Sequence, residues 1–70
     1  PDRKARERVA RRLIEDARSD DEDIRALSVW AMVTLSERGF RRALFHATRD
    51  TSAEVRRLAQ DGLQRLGGAA

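Results

Sequence analysis

The sequence predicts an all-α protein, a short α-solenoid of four antiparallel helices, and three observations support this. Apolar residues recur at helical spacing in four successive segments. No segment alternates between apolar and polar residues with period two, so strands are not expected. The chain also matches itself after a shift of 31 positions, which places Ile24 on Val55. A fixed period of this size is typical of repeat proteins, in which each helical pair buries its apolar face on the next.

The predicted helices follow one another with short connections. They span approximately residues 2–17, 21–35, 37–48 and 52–66 of a single domain, 1–70, or of a fragment of a longer array. We expect Ser36 to be the N-cap of the third helix. Thr51 and Glu54 have the spacing of a capping box for the fourth. Gly67 or Gly68 supplies a residue that tolerates positive φ after that helix.

The second predicted helix is apolar around most of its circumference. Besides its main stripe it carries Val29, Trp30 and Val33 on the other side. Such a helix is normally covered from more than one side. Two alternatives remain open. Trp30 packs inside the four-helix stack, or these three residues form a hydrophobic interface for further repeats, a partner chain or self-association.

The internal match concentrates on helical stripes and helix starts. The shift of 31 gives six identities: Arg11 with Arg42, Leu13 with Leu44, Arg18 with Arg49, Arg25 with Arg56, Leu27 with Leu58, and Leu35 with Leu66. Val29, Trp30 and Val33 instead match Gln60, Asp61 and Gln64. The fourth helix is therefore polar where the second is apolar, as expected of a helix that closes a stack against water.

One segment resembles a known family. Asp50-Thr51-Ser52-Ala53-Glu54-Val55-Arg56, followed by Leu58-Ala59 and Leu63, is similar to the D-x-x-x-x-V-R-x-x-A element of HEAT repeats, in particular to the short variant named after phycobilisome lyases. Residues 19–25 form a weaker second copy, and the resemblance extends from about Val9 to Leu66.

The resemblance implies a hydrogen-bonded ladder between neighbouring repeats, formed by Asp50, Arg25 and Arg56. Ser19 stands where the first copy should have its aspartate, so Asp20 or Asp21 is the expected substitute. The resemblance also implies that the second and fourth helices form an outer layer. The first and third helices would then line an inner, concave surface.

Composition excludes several function classes. The chain has no cysteine and one histidine, His46. No apolar run approaches the ~20 residues of a membrane span, so we expect no membrane association and take the cytoplasm as the default location. The acidic residues are explained as helix caps or helix surface. We therefore expect no catalytic residue, cofactor or metal, and no enzyme.

The third predicted helix carries the best candidate site. One sector of it holds four arginines and a phenylalanine: Arg38, Arg41, Arg42, Phe45 and Arg49. The first helix adds a weaker basic stripe that includes Arg8, Arg11 and Arg12. A groove lined by both could bind an acidic protein segment, or nucleic acid through phosphate contacts and stacking on Phe45. The simpler alternative is a solvated arginine surface with Phe45 covered by a neighbouring helix.

The sequence thus favours a non-catalytic interaction scaffold or regulatory module. Its expected partner is another protein or further repeats. A nucleic-acid-binding module is the second hypothesis. This step depends on analogy, because one fold serves many functions.

Overall fold

The computed structural model describes residues 2–67 and confirms the all-helical class. It contains α1 (Arg3–Asp16), α2 (Glu22–Leu35), a single 3₁₀ turn (Arg38–Phe40), α3 (Arg41–Ala47) and α4 (Ala53–Gly67). No strand occurs within these residues. None of the helices within the described range is both long and apolar enough to cross a bilayer.

The starts of α1 and α2 are set by aspartate caps. The side chain of Asp2 accepts a hydrogen bond from the backbone N–H of Lys4. Asp21 likewise accepts from the N–H groups of Asp23 and Ile24. Each cap satisfies donors that the first helical turn leaves unpaired. The acidic run before α2 therefore has a local structural role in addition to its charge.

The third helical segment differs from the prediction of one helix over 37–48. Ser36 was predicted to be its N-cap, but Ser36 instead follows the last turn of α2 in the left-handed conformation, with φ 54° and ψ 46°. Glu37 is then extended, and the 3₁₀ turn leads into α3, which has only seven residues. Gly39 in this turn has a low helix propensity. Phe40 is buried in the core, so tertiary packing favours a 3₁₀ turn here instead of a continuous α-helix.

The start of α4 is one residue later than the capping-box prediction. The Ser52 hydroxyl, not Thr51, accepts from the backbone N–H of Val55 at 3.3 Å. Because Ser52 is buried, its hydroxyl needs a hydrogen-bond partner within the protein, and the N–H of Val55 provides one. At the other end, Gly67 lies inside α4, and Gly68 lies outside the described residues.

The core lies between α2, α3 with its preceding 3₁₀ turn, and α4. Its buried apolar residues are Val29, Met32, Val33, Phe40, Leu44, Ala47, Val55 and Ala59. Helix α1 contributes no fully buried residue, although Ala10, Leu13 and Ala17 pack against the core. The principal extents of 35 × 32 × 15 Å describe a flat molecule.

Helix α1 forms a hairpin with α2. The N-terminal part of α1 lies beside the C-terminal end of α2, since Arg6 is 3.7 Å from Glu37 and Val9 lies with Leu35 around one crevice. The opposite ends of both helices meet at the short connection 17–21. Because α1 is only partly packed, a groove remains between its C-terminal half and α3.

Candidate functional site

The predicted basic residues of the third segment form one exposed surface. We call Arg38, Arg41, Arg42, Phe45 and Arg49 the arginine face, and all five are exposed. Opposite them, Leu44 and Ala47 are buried in the core. The helical period of α3 therefore separates the basic side chains from the apolar ones, as the sequence pattern indicates.

The groove between α1 and α3, the α1–α3 groove, has a volume of about 540 Å³. It is lined by Ile14, Ala17, Arg18, Gly39, Arg42, Ala43, His46, Ala47 and Asp50. A shallower depression beside it shares Gly39 and Arg42 and reaches Arg38, Arg41, Phe45 and Leu63. Arg42 thus stands between the two concavities, with apolar side chains on either side of it.

Phe45 is the aromatic centre of this surface. It is 51 % exposed, so the neighbouring helix does not cover it. The guanidinium carbon of Arg49 lies 4.7 Å from its ring centroid, and the His46 ring meets it edge-on at 6.4 Å. A cation over an aromatic face is an attractive contact that also holds the ring in place. The ring is therefore positioned while part of it stays open to a ligand.

The arginine face carries uncompensated charge. Within residues 2–67, ion pairs involve Arg6, Arg12, Arg25 and Arg65, and no arginine of this face takes part in one. Exposed guanidinium groups without a carboxylate neighbour attract anionic ligands and bind carboxylates or phosphates with paired hydrogen bonds. The surface is therefore suited to an acidic partner.

The predicted residues of α1 contribute less than expected. Arg8, Arg11 and Arg12 are exposed but line neither concavity of the arginine face. Arg12 is also paired with Asp16 within the same helix at 3.2 Å. The arginine that does line the α1–α3 groove from this side is Arg18, which follows the end of α1. Its identity with Arg49 under the repeat shift is the sequence signal that could have indicated it.

The three residues of the proposed ladder are brought together. Arg25 donates to both carboxylate oxygens of Asp50, from Nε at 2.9 Å and from Nη2 at 3.2 Å. Arg56 donates to the backbone carbonyl of Asp50 at 2.7 Å. The pair connects α2 with the loop before α4, and its side chains are only 15 % and 10 % exposed. This bidentate contact fixes α2 against the loop before α4.

The two segments that the shift of 31 residues relates use the same local hydrogen bonds. Arg25 donates to the carbonyl of Ser19, six residues back, as Arg56 does to that of Asp50. The Ser19 hydroxyl accepts from the N–H two residues on, as the Asp50 carboxylate does. Ser19 thus reproduces the local role of the aspartate but has no carboxylate to offer another arginine. Asp20 supplies only its backbone carbonyl to Arg25, at 3.1 Å, and Asp21 is the cap of α2.

The ion pair between Arg25 and Asp50 shifts the pKa of both residues. Burial by itself raises the pKa of the Asp50 carboxyl, but the hydrogen bonds from Arg25 and from the Ser52 backbone outweigh it, and the pKa is lowered. The hydrogen bond to Asp50 raises the pKa of Arg25. Both shifts favour the charged forms, so the ion pair is maintained at neutral pH.

The structure separates the three residues of the predicted hydrophobic interface. Val29 and Val33 are 0 % and 7 % exposed and pack in the core, so they are not available to a partner. Trp30 is 53 % exposed and does not pack inside the stack. The other large apolar side chains that are exposed on α2 are Ile24, Leu27 and Leu35. Helix α4 packs on only one side of α2, which explains why the two valines are buried and the tryptophan is exposed. The helical period alone could not predict which side of α2 is covered.

The described residues contain no cluster of three or more side chains that could hold a metal ion. Comparison with known proteins adds no assignment: no protein-family model, no curated protein and no solved structure matches the chain.

Proposed function

We propose that this chain is a non-catalytic protein-interaction module built from HEAT-like repeats, and that its arginine face binds an acidic protein segment. The observation that carries the proposal is the set of arginines without carboxylate partners around a half-exposed Phe45, beside an apolar groove. Charged groups that select a partner and an aromatic anchor that holds it are the usual elements of such a surface.

The repeat architecture is supported by equivalences between the two copies. Helix α4 begins 31 residues after α2, which is the shift that relates the sequence to itself. The caps Asp21 and Ser52 are equivalent under the same shift and accept from the equivalent N–H groups of Ile24 and Val55. Arg25 then joins one copy to the next through Asp50. In a stacked array these contacts would recur at each interface.

A protein segment suits the α1–α3 groove better than a nucleic-acid strand does. The lining of the groove includes the apolar residues Ile14, Ala17, Ala43 and Ala47, which can receive aliphatic side chains between carboxylates. The basic stripe on α1 is interrupted by Glu7 and Glu15, so no continuous positive track follows a phosphate backbone. Nucleic acid remains the competing partner because Phe45 could stack on a base.

The test compares two labelled anionic probes of equal nominal charge by fluorescence anisotropy. The probes are a peptide of repeated Glu-Glu-Leu and a single-stranded oligothymidylate. We expect the peptide to bind, and Arg42→Ala to weaken it by about fivefold or more, which corresponds to a loss of ~1 kcal/mol. The matched control is Arg57→Ala, which removes the same charge from an exposed position on α4 that lines no concavity of the arginine face.

Three results would contradict the proposal. Absence of peptide binding at low salt is the first, and equal weakening by Arg42→Ala and Arg57→Ala is the second. In the third, the oligonucleotide binds, the peptide does not, and affinity falls steeply with salt. That outcome would assign the arginine face to nucleic acid.

A further inference from the structure

Two equivalent arginines, Arg25 and Arg56, are held in the same way, but only Arg25 has a carboxylate partner. In Arg25, Nη1 donates to the carbonyl of Ser19 at 2.9 Å, while Nε and Nη2 donate to the Asp50 carboxylate at 2.9 and 3.2 Å. In Arg56, Nη1 donates to the carbonyl of Asp50 at 2.7 Å. Both carbonyls lie six residues before the arginine. The same nitrogen atom therefore anchors each guanidinium group, and the same edge of it points away from that anchor.

In Arg56 this second edge is unoccupied by any group within residues 2–67. Arg56 takes part in none of the ion pairs there, and its side-chain hydrogen bond uses Nη1 alone. No buried side-chain nitrogen or oxygen of the described chain lacks a partner, so Nε and Nη2 of Arg56 reach solvent. We call these two donors the open edge of Arg56. Two parallel N–H groups of this kind match the two oxygens of a carboxylate.

The segment before Arg56 also lacks most of the acidic residues that precede Arg25. Residues 20–23 read DDED, and the shift of 31 places TSAE at the equivalent positions 51–54. Only the last of these four residues is acidic. The Asp50 carboxylate is within the electrostatic influence of Arg56, but Arg25 binds it. The positive charge of Arg56 therefore has no carboxylate of its own.

The acidic residues of α4 itself do not occupy the open edge. This helix contains two of them, Glu54 and Asp61. Asp61 is paired with Arg65, one turn further on, at 3.2 Å. Glu54 is exposed, and residues two positions apart on a helix do not face each other, so its side chain does not lie over that of Arg56. The open edge is therefore available to a carboxylate from another molecule.

The shift of 31 places this open edge beside the arginine face. Arg18 lines the α1–α3 groove together with Asp50, whose carboxylate occupies the corresponding edge of Arg25. The residue equivalent to Arg18 is Arg49, which belongs to the arginine face. By this equivalence, a carboxylate at the open edge of Arg56 would lie near Arg49. One acidic segment can then reach both.

The side of α4 that corresponds to the packed side of α2 is polar. Val33 of α2 packs against Gly62 of α4, where an added Cβ would lie 2.6 Å from Val33 Cγ2. The α4 residues equivalent to Val29 and Val33 are Gln60 and Gln64, and both are exposed. A further helix of the same kind would find no apolar surface there. A polar segment that supplies carboxylates therefore fits this side of α4 better than a stacked helix does.

We propose that the open edge of Arg56 binds a carboxylate of the acidic protein segment that lies on the arginine face. This inference rests on the proposed function, because it gives the same segment a second point of attachment. Nε and Nη2 donate to the two oxygens of one aspartate or glutamate side chain, as they do in the contact between Arg25 and Asp50. The segment thus extends past Arg49 to the first turn of α4.

The first test follows the Nε–H signals of the arginines by ¹H–¹⁵N NMR while the Glu-Glu-Leu peptide is added to the labelled full chain. We expect the Arg56 signal to move to lower field, because its Nε–H then donates to a carboxylate. The Arg25 signal should stay in place, because that Nε–H already donates to Asp50. Loss of one signal in Arg56→Lys assigns it. This measurement uses the wild-type fold and does not depend on the stability of a variant.

The second test measures peptide affinity by fluorescence anisotropy. Arg56→Lys keeps the positive charge but cannot bind a carboxylate through two parallel N–H groups. It should raise the Kd of the peptide by about fivefold. Arg57→Lys is the matched control, since it makes the same change at the next residue, which is exposed and lines no concavity of the arginine face. The control should leave the Kd unchanged. Circular dichroism checks that both variants keep their helices.

The outcomes separate this inference from the proposed function. The peptide could bind and be weakened by Arg42→Ala, while the Arg56 signal does not move and Arg56→Lys binds like the wild type. The arginine face would then stand and the open edge would not belong to it. Absence of peptide binding would overturn both proposals. A shift of the Arg56 signal with oligothymidylate but not with peptide would assign the edge to phosphate. A shift with protein concentration alone would assign it to a second copy of the chain, and either result would overturn the inference.

Discussion

At the scale of single residues, Asp50 connects α2 with the loop before α4 and with α4 itself. Its carboxylate accepts from Arg25 on α2 and from the backbone of Ser52, while its carbonyl accepts from Arg56. The side chain is largely buried, and its partners satisfy the lone pairs that burial removes from water. Removing one partner of such a pair leaves the other charge uncompensated, which is more costly than losing a surface pair.

We predict that Asp50→Asn destabilises the fold far more than Asp16→Asn does. Asp16 pairs with a mostly exposed Arg12 one turn away, a contact that contributes at most ~0.5 kcal/mol. Asp50→Asn should lower the free energy of unfolding by several times that amount. Urea denaturation at pH 7, followed by circular dichroism, measures both. Equal effects of the two substitutions would contradict the bridging role of Asp50.

The same pair predicts a pH dependence with a definite sign. The pKa of Asp50 is lower in the folded chain than its ordinary value of ~3.9, so folding favours the carboxylate. Its contribution is therefore fully present above that ordinary value and is lost as the pH falls through the lowered, folded pKa. Below pH ~4 the wild type should lose stability more steeply than Asp50→Asn. If the free energy of unfolding fell in parallel for the wild type and Asp50→Asn as the pH is lowered, the lowered pKa of Asp50 would be contradicted.

At the scale of the elements, the contact of α4 with α2 and α3 depends on a glycine. A Cβ placed on Gly62 would lie 2.6 Å from Val33 Cγ2 and 3.1 Å from Leu44 Cδ1. Val33 is β-branched and buried, so it has little freedom to move aside. The absence of a side chain at Gly62 therefore allows three helices to approach one another closely.

We predict that Gly62→Ala is destabilising although alanine favours helices. Overpacking costs about 1–3 kcal/mol, and the gain in helix propensity returns at most ~1 kcal/mol. A net loss of about 1 kcal/mol is expected in thermal or urea unfolding. Gly39→Ala is the matched control, since a Cβ there meets nothing within 4 Å. The control should be neutral or slightly stabilising. A stabilised Gly62→Ala would show that the helices have room to separate.

At the scale of the whole molecule, the protein is flat and its core is small, and its stability depends on that core. Eight buried apolar residues lie among α2, α3 and α4, while α1 covers them from one edge. A domain of this size buries only about 60 % of the surface exposed by its unfolded chain, so its margin of stability is narrow. Single core substitutions should therefore have global effects.

The two phenylalanines provide a direct test of this distribution. Phe40 is 1 % exposed and Phe45 is 51 % exposed. Phe40→Ala should cost about 3–5 kcal/mol, enough to abolish cooperative unfolding in so small a domain. Phe45→Ala should cost less than about 1 kcal/mol, mainly through its contact with Arg49. Calorimetry or thermal circular dichroism distinguishes them. Comparable losses would mean that Phe45 contributes to the packed core as much as Phe40 does.

The sequence was sufficient for the helical class and for most local features. Apolar spacing located four helical segments, and three of them lie within one residue of the structure at both ends. The arginine face could also be located, because charges spaced along one short helix share a side whatever the helix packs against. Arg18 was missed as a groove residue because it lies after α1, where helical spacing no longer assigns a direction.

What only the tertiary structure decided was which apolar residues are covered. Periodicity grouped Val29, Trp30 and Val33, but the structure buries the two valines and exposes the tryptophan. It also divided the third segment into a 3₁₀ turn and a short helix, because Phe40 is held in the core. Local periodicity depends on the helix alone, whereas coverage depends on where neighbouring helices lie. The fold class therefore follows from the sequence, and the exposed surfaces follow from packing between helices distant in sequence.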